Sequence, residues 1–187
     1  WKPGRTANQL ANDCMSQVLR HVDVVIGNEE DAADVLGIHA DGTAVEAGQI
    51  NARAYEAVAR TIIERFPNVS RVAFTLRESI SADHNNWGGM LFDGAAGRAF
   101  FAPLNAEGGY QPYEIRDIVD RVGGGDAFAA GLLFALASKD YADPARAVRF
   151  AVAASALKHS IQNDFNFVTR DEVVALMKGE ASGRVRR

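Results

Sequence analysis

Cysteine is nearly missing from this chain: Cys14 is the only one in 187 residues, so no intrachain disulfide can form. A reducing, cytoplasmic setting is the expectation that follows. Long apolar runs are missing too. None approaches the ~18 residues of a membrane span, and the longest are broken by Asp, Lys or Arg. An excess of positive charge is likewise absent, with 20 basic against 24 acidic residues and a net charge of −4. That balance leaves no electrostatic footprint for nucleic acid. The one basic cluster, Gly183-Arg184-Val185-Arg186-Arg187, reads as a solvated tail. At the other end Trp1-Lys2-Pro3-Gly4-Arg5 has neither the apolar core nor the cleavage site of a signal peptide. No internal repeat and no low-complexity tract is found.

What is present is an ordinary globular composition, 48% hydrophobic and 24% charged, which fits one domain with a full core. Apolar strands alternate with amphipathic helices, the pattern of an α/β layer fold. Ala7 to Leu19 has helical spacing at Leu10, Cys14, Met15 and Val18. Val22 to Ile26 reads as a largely buried strand ended by Gly27. Asn28 can cap the next helix, with Glu29, Glu30 and Asp31 in a first turn where the helix dipole favours negative charge. Asn51 to Phe66 is predicted helical, and Arg71 to Thr75 a core strand. Trp87–Phe92, Arg98–Phe101 and Tyr113–Ile118 read as shorter, mostly antiparallel strands, separated by turns at Gly88-Gly89 and Gly94–Gly97. Asp143-Pro144 predicts a helix to about His159. Thr169 to Glu172 has capping-box spacing ahead of a last short helix.

The richest segment is Asp120-Arg121-Val122-Gly123-Gly124-Gly125-Asp126-Ala127-Phe128. Three consecutive glycines cost conformational entropy and are expected where the backbone needs unusual dihedrals or close approach. Here they run into a helix whose first-turn amides and dipole would form an anion site. A carboxylate, Asp126, stands at the same point. That pairing suits phosphoryl transfer, with amides neutralising the moving phosphate and the acid taking a proton from the attacking hydroxyl. On residue types alone an alternative stays open: a flexible loop ending in an N-cap Asp, with Ala127, Ala130 and Gly131 small for helix packing. The dinucleotide Gly-x-Gly-x-x-Gly spacing is not met, and no Gly-Lys-Ser/Thr of a Walker A loop follows.

The same segment resembles the D-x-x-G-A-G-D-x-F signature of the ribokinase-like (PfkB) carbohydrate kinases, and Arg121 with three glycines resembles their 2-keto-3-deoxygluconate kinase branch. Val25–Ala32, Thr75–Ala82 and Leu157–Ser160 with Asp164–Asn166 agree with that branch in the same order. The resemblance implies a ribokinase-like three-layer α/β/α sandwich across residues 1–187, incomplete because the N-terminal strands and the small β-lid are absent. It implies ATP-dependent phosphorylation of a sugar-acid hydroxyl, with Asp126 as general base and the amides of Gly123, Gly124, Gly125 and Asp126 as anion hole. Asn28 to Asp31 matches an N-x-x-E element that orders Mg²⁺ and phosphates partly through water. Asp31 stands where the family has Glu, which suits an outer-sphere role.

Thr75, Leu76 and Arg77 match a stretch lining the nucleotide site, expected just past a core strand. Arg77 is either a phosphate contact or a solvated loop cation. Val152 and Ala153 match part of the adenine pocket by position. Asp120 matches a residue that helps hold a monovalent cation, although Arg121 replaces its usual Thr neighbour. Lys158 and His159 read as complements to a helix C-terminus. The expected partners are ATP and a small sugar acid, without nucleic acid or membrane, and with a homo-oligomer or an association with a missing N-terminal half. Trp1 reads as the tail of an upstream motif, so the chain is expected to be a fragment, inactive alone, with an unpaired apolar sheet edge. Two other readings remain: another PfkB sugar or nucleoside kinase, and a non-catalytic nucleotide-binding module.

Overall fold

A computed structural model describes residues 4–39 and 52–179, so Trp1 to Pro3 and the Gly183–Arg187 cluster lie outside the described residues. The fold is mixed α/β and divides into two compact units, residues 1–74 with 90–99 and residues 75–89 with 100–187. A sheet of five strands runs in the order β1-β2-β3-β4, with β5 also paired to β3. Strands β2 (Arg71–Ser81), β3 (His84–Asp93) and β4 (Arg98–Ala102) pass through both units.

The first unit opens with α1 (Ala7–Val18), started by a reciprocal cap between Thr6 and Gln9. A 3₁₀ turn, Leu19–His21, leads into β1 (Val24–Gly27), which pairs in parallel with the start of β2, Val24 opposite Arg71 through Gly27 opposite Phe74. Helices α2 (Glu29–Leu36) and α3 (Ala52–Arg65) complete it. The helical period of α3 buries Tyr55, Val58, Ala59 and Ile62, and the unit's core adds Val72, Phe74, Leu91 and Phe92. Tyr55 meets Phe74 edge-on at 6.4 Å. One expectation fails here: Val24 to Gly27 are half-buried rather than largely buried, because β1 is the end strand of the sheet. The helix expected from the spacing of Ala7 to Leu19 forms as α1, with none of its residues buried and Cys14, Met15 and Val18 exposed.

In the second unit β5 (Tyr113–Ile115) lies antiparallel on β3, with Trp87 opposite Tyr113. Three helices follow: α4 (Gly124–Ala137), α5 (Pro144–Lys158) and α6 (Arg170–Met177). Asp143 caps α5 with Pro144 at its first position, and Thr169 and Glu172 form the capping box of α6, as their spacing predicts. Helices α4 and α5 approach closely. A Cβ on Gly131 would stand 3.1 Å from Ala151 Cα and 3.2 Å from Ala154 Cβ.

Gly88 and Gly89 are not a turn; they lie inside β3. A Cβ on Gly88 would overlap the Tyr110 hydroxyl, and one on Gly89 would stand 2.8 Å from both Phe128 and Val152. The pair is glycine because side chains from other elements occupy both faces of the strand there. The predicted Arg71–Thr75 strand also runs six residues further, to Ser81, because it continues as a hairpin with β3 across Ala82-Asp83. Conversely, the predicted Tyr113–Ile118 strand stops at Ile115.

Candidate active site

The glycine run and Asp126 sit at the start of α4, in the second unit. Gly123 is the N-cap, with φ +77°, a left-handed conformation that favours glycine. Its neighbour across space is equally restrictive: a Cβ there would overlap the Asp164 carbonyl. Gly124 is buried, and a Cβ on it would touch the His159 ring at 3.4 Å and Trp87 at 3.9 Å. Gly125 differs. It is exposed, has no positive φ, and a Cβ on it would meet nothing within 4 Å.

The N–H groups of a helix's first turn have no carbonyl one turn back to bond. Gly125 and Asp126 present theirs at this end, while the Gly124 N–H makes a long 3.3 Å contact to the Arg121 carbonyl. The first α-helical bond runs from the Ala127 N–H to the Gly123 carbonyl at 2.8 Å. Asp126 is the third helical residue, not the cap, and its side chain is exposed. No side-chain hydrogen bond or ion pair with a described residue engages it. An acid free of internal duties therefore stands beside unpaired amides and an open face.

The support beneath this turn is a buried polar chain. The Trp87 Nε1–H donates to Ser155 Oγ at 2.7 Å, and that hydroxyl donates to the Val152 carbonyl at 3.0 Å. His159 Nδ1–H donates to the Ser155 carbonyl at 2.8 Å, which fixes the proton on Nδ1 of the neutral ring. The ring packs edge-on against Trp87 at 4.7 Å. Burial pushes the His159 pKa down, against the opposing pull of the Ser155 carbonyl. Lys158 stands in the last turn of α5, where a basic residue complements the helix end, and its Nζ donates to the Ile161 carbonyl at 2.9 Å; both it and His159 are buried, at 0% and 2% exposure.

Asp120 accepts the Val122 N–H at 2.9 Å and the Asn163 N–H at 2.8 Å. These two N–H groups, with the Lys158 charge nearby, hold its carboxyl below the usual carboxylate range. Arg121 turns toward the β2–β3 hairpin, donating to the Ser81 carbonyl at 2.6 Å and to Asn85 Oδ1 at 2.9 Å.

The remaining predicted site residues fall in several settings. Thr75, Leu76 and Arg77 are inside β2 rather than past its end. Their alternation leaves Thr75 half-buried, Leu76 fully buried and Arg77 exposed. Val152 and Ala153 have no exposed surface, and Val152 packs on Gly89. Their side chains are interior and offer no surface for a ligand to touch. Asn28 and Asp31 belong to the first unit, where they form a reciprocal cap: the Asn28 side chain accepts the Asp31 N–H at 2.8 Å, and the Asp31 carboxylate accepts the Asn28 N–H at 2.9 Å. Of the two oxygens of the exposed Asp31 carboxylate, Oδ2 is the one that accepts this N–H. Among the described residues no group of three or more His, Cys, Asp or Glu could hold a metal directly. No helix of the described residues is long and apolar enough to cross a membrane.

Sequence reasoning had no means of finding the Trp87–Ser155–His159 support. The one local sign is that Ser155, Lys158 and His159 follow the small apolar residues Ala151 to Ala154 on a helix buried nearly all round.

Comparison with known proteins adds the following. The sequence model of the pfkB family carbohydrate kinases matches residues 92–164, a span that includes the glycine run and Asp126. None of the curated proteins matches the chain by sequence. Among solved structures, the chain is similar to 2-dehydro-3-deoxygluconokinase from Thermotoga maritima at 35% identity and a TM-score of 0.78, covering 96% of this chain and 49% of that one. It is similar to a PfkB family carbohydrate kinase from Listeria grayi at 26% identity and a TM-score of 0.71, covering 95% and 48%. A fructokinase double mutant from Vibrio cholerae, bound to fructose, ADP and potassium, shares the fold at 20% identity and a TM-score of 0.57, over 90% and 44%. The chain spans about half the length of these relatives.

Proposed function

The chain belongs to the pfkB family of carbohydrate kinases, and on that premise we propose that it carries the phosphate-binding and base-supplying part of an ATP-dependent sugar-acid kinase. The observation that carries this reading is the contrast at the start of α4. Gly123 is glycine because its left-handed φ and the Asp164 carbonyl leave no room for a side chain, and a Cβ on Gly124 would make only ordinary contact with His159, whereas Gly125 faces open space beside an unengaged Asp126. A glycine that the fold does not require is accounted for by a group that comes from outside.

The chemistry follows from the placement. The Asp126 carboxylate takes the proton of a substrate alcohol. The resulting oxygen attacks the γ-phosphorus of ATP, the bond to the β–γ bridging oxygen breaks, and ADP leaves with that electron pair. The first-turn amides of Gly125 and Asp126 meet the charge on the transferring oxygens. His159 and Trp87 hold the turn from beneath. Mg²⁺, when bound, would neutralise phosphate charge. Thr75 and Arg77 face the nucleotide, with Leu76, Val152 and Ala153 as the buried wall. The similarity to a 2-dehydro-3-deoxygluconokinase supports a 2-keto-3-deoxy sugar acid as substrate.

The test is Asp126→Asn in the full reading frame that contains this chain. Turnover with ATP and 2-keto-3-deoxygluconate should fall by roughly 10²–10⁴, the usual worth of a general base, while ATP affinity holds. Unchanged turnover removes Asp126 from the mechanism. A wild type that binds ATP but phosphorylates only other sugars or nucleosides changes the substrate, and one that phosphorylates nothing is a binding module.

A further inference from the structure

The chain enters the glycine run through residues 119–123, which lie against residues 159–164 of the same unit. The Val119 and Asp120 N–H groups both donate to the His159 carbonyl, at 2.9 and 3.3 Å. Gly123 lies against the Asp164 carbonyl so closely that no side chain fits. Between these two contacts stands Asp120, and its carboxylate oxygens are divided. Oδ1 accepts the Val122 N–H at 2.9 Å, closing a turn over the residue that precedes Gly123. Oδ2 accepts the N–H of Asn163, 43 residues further on, at 2.8 Å.

Each half of this clasp needs the residue it has. Asn163 has φ +66°, a left-handed conformation that asparagine visits more readily than other side chains. A carboxylate carries acceptors only, so both of its oxygens can face N–H groups at once. An asparagine at position 120 would keep one acceptor and set an NH₂ against the other N–H. Hydrogen bonds to an ionised carboxylate are roughly twice as strong as neutral ones. Val122 is exposed, so packing does not fix the backbone just ahead of the α4 cap. The Asp120 carboxylate does.

We propose that Asp120 is a positioning residue for phosphoryl transfer: holding Val122 with one oxygen and Asn163 with the other, it sets the path of the chain into Gly123 and so the direction in which the Gly125 and Asp126 N–H groups point. It touches no reacting atom in this role and acts through Gly123. The effect on catalysis rests on the phosphate-binding reading of Gly125 and Asp126, whereas the clasp does not, so the two are measured separately.

Amide hydrogen exchange of the nucleotide-free chain tests the clasp. Asp120→Asn should speed exchange at Val122 and Asn163 by about tenfold or more, the worth of a hydrogen bond to a charged acceptor. Asn163→Gly keeps both the N–H and the left-handed φ, and should leave Val122 protected. Unchanged exchange in Asp120→Asn, or loss of Val122 protection in Asn163→Gly, overturns the proposal. Kinetics with ATP and 2-keto-3-deoxygluconate, in the full reading frame that contains this chain, test the positioning. Asp120→Asn should lower kcat per folded molecule by about tenfold to a hundredfold, the cost of a misplaced site, with the KM of the sugar acid unchanged. Asp120→Glu keeps the charge and both acceptors on a stem one methylene longer, and should recover part of that loss. A merely structural Asp120 would lower the folded fraction and leave kcat per folded molecule at the wild-type value. That result overturns the proposal, as does a glutamate variant no better than the asparagine one, or failure of both to fold. If only Asp120→Asn fails to fold, the glutamate variant decides: kcat below wild type supports the proposal and wild-type kcat overturns it. A wild type without kinase activity removes the phosphate-binding reading and the positioning role with it, while the exchange result still stands for the clasp.

Discussion

Gly125→Ala should stabilise this protein and impair it at once. In a helix, glycine is less favourable than alanine by about 0.5–1 kcal/mol. Gly125 is the second residue of α4, has no left-handed φ, and a Cβ there meets nothing within 4 Å. The substitution therefore recovers most of that difference without a clash, which for a chain of this size is roughly 1–4 °C in melting temperature. The same methyl would stand where a phosphate oxygen must come to accept the Gly125 N–H. Losing one charge-assisted hydrogen bond costs about 1.5–3 kcal/mol, so ATP affinity or kcat/KM should fall by roughly tenfold to a hundredfold. A control lies in the same helix. Gly131→Ala would push a Cβ against Ala151 Cα at 3.1 Å and should destabilise by about 1–3 kcal/mol. Thermal melts and calorimetric titration with ATP·Mg²⁺ read both quantities. If Gly125→Ala lowers stability, or leaves ATP affinity as it was, the reasoning about the open face is wrong.

Further outcomes follow from the neighbouring geometry. His159 is buried with its pKa pushed below 6.5; the folded state therefore binds fewer protons than the unfolded one, and stability is fully present above pH 6.5 and lost as pH falls through the folded value. Melting temperatures should drop on acidification in the wild type and drop less in His159→Asn. Gly89→Ala should cost about 1–3 kcal/mol, because its Cβ would press on Phe128 and Val152 from mid-strand; urea unfolding measures it. Asn28→Ala should remove about 1 kcal/mol of helix capping, which thermal melts measure.

How much was readable in the sequence depends on what made each feature. Caps are local, so Asp143-Pro144 and Thr169–Glu172 announced α5 and α6, and Asn28 and Asp31 announced α2. The glycine run into α4 was legible for the same reason. Gly88-Gly89 misled because two glycines in a row usually mean a turn, whereas here Tyr110, Phe128 and Val152, distant in sequence, take the space of their side chains. Lys158 and His159 were legible as residues of a helix end, but their burial was not: α5 is covered on nearly every side, and the burial of its end is a property of the packing, not of the local string. Thr75 to Arg77 were placed past a strand because the apolar run ends there, though hairpin pairing with β3 carries β2 on to Ser81. The stripe on α1 shows the reverse limit: helical spacing produced the helix but did not decide that its apolar face would be covered.

The most direct measurement is amide NMR of the chain titrated with a non-hydrolysable ATP analogue and Mg²⁺. The account predicts that the N–H signals of Gly125 and Asp126 move furthest downfield and saturate together, as amides do on bonding phosphate oxygens. If those two stay in place while signals elsewhere report saturated nucleotide binding, the phosphate lies at another site and the central claim is contradicted.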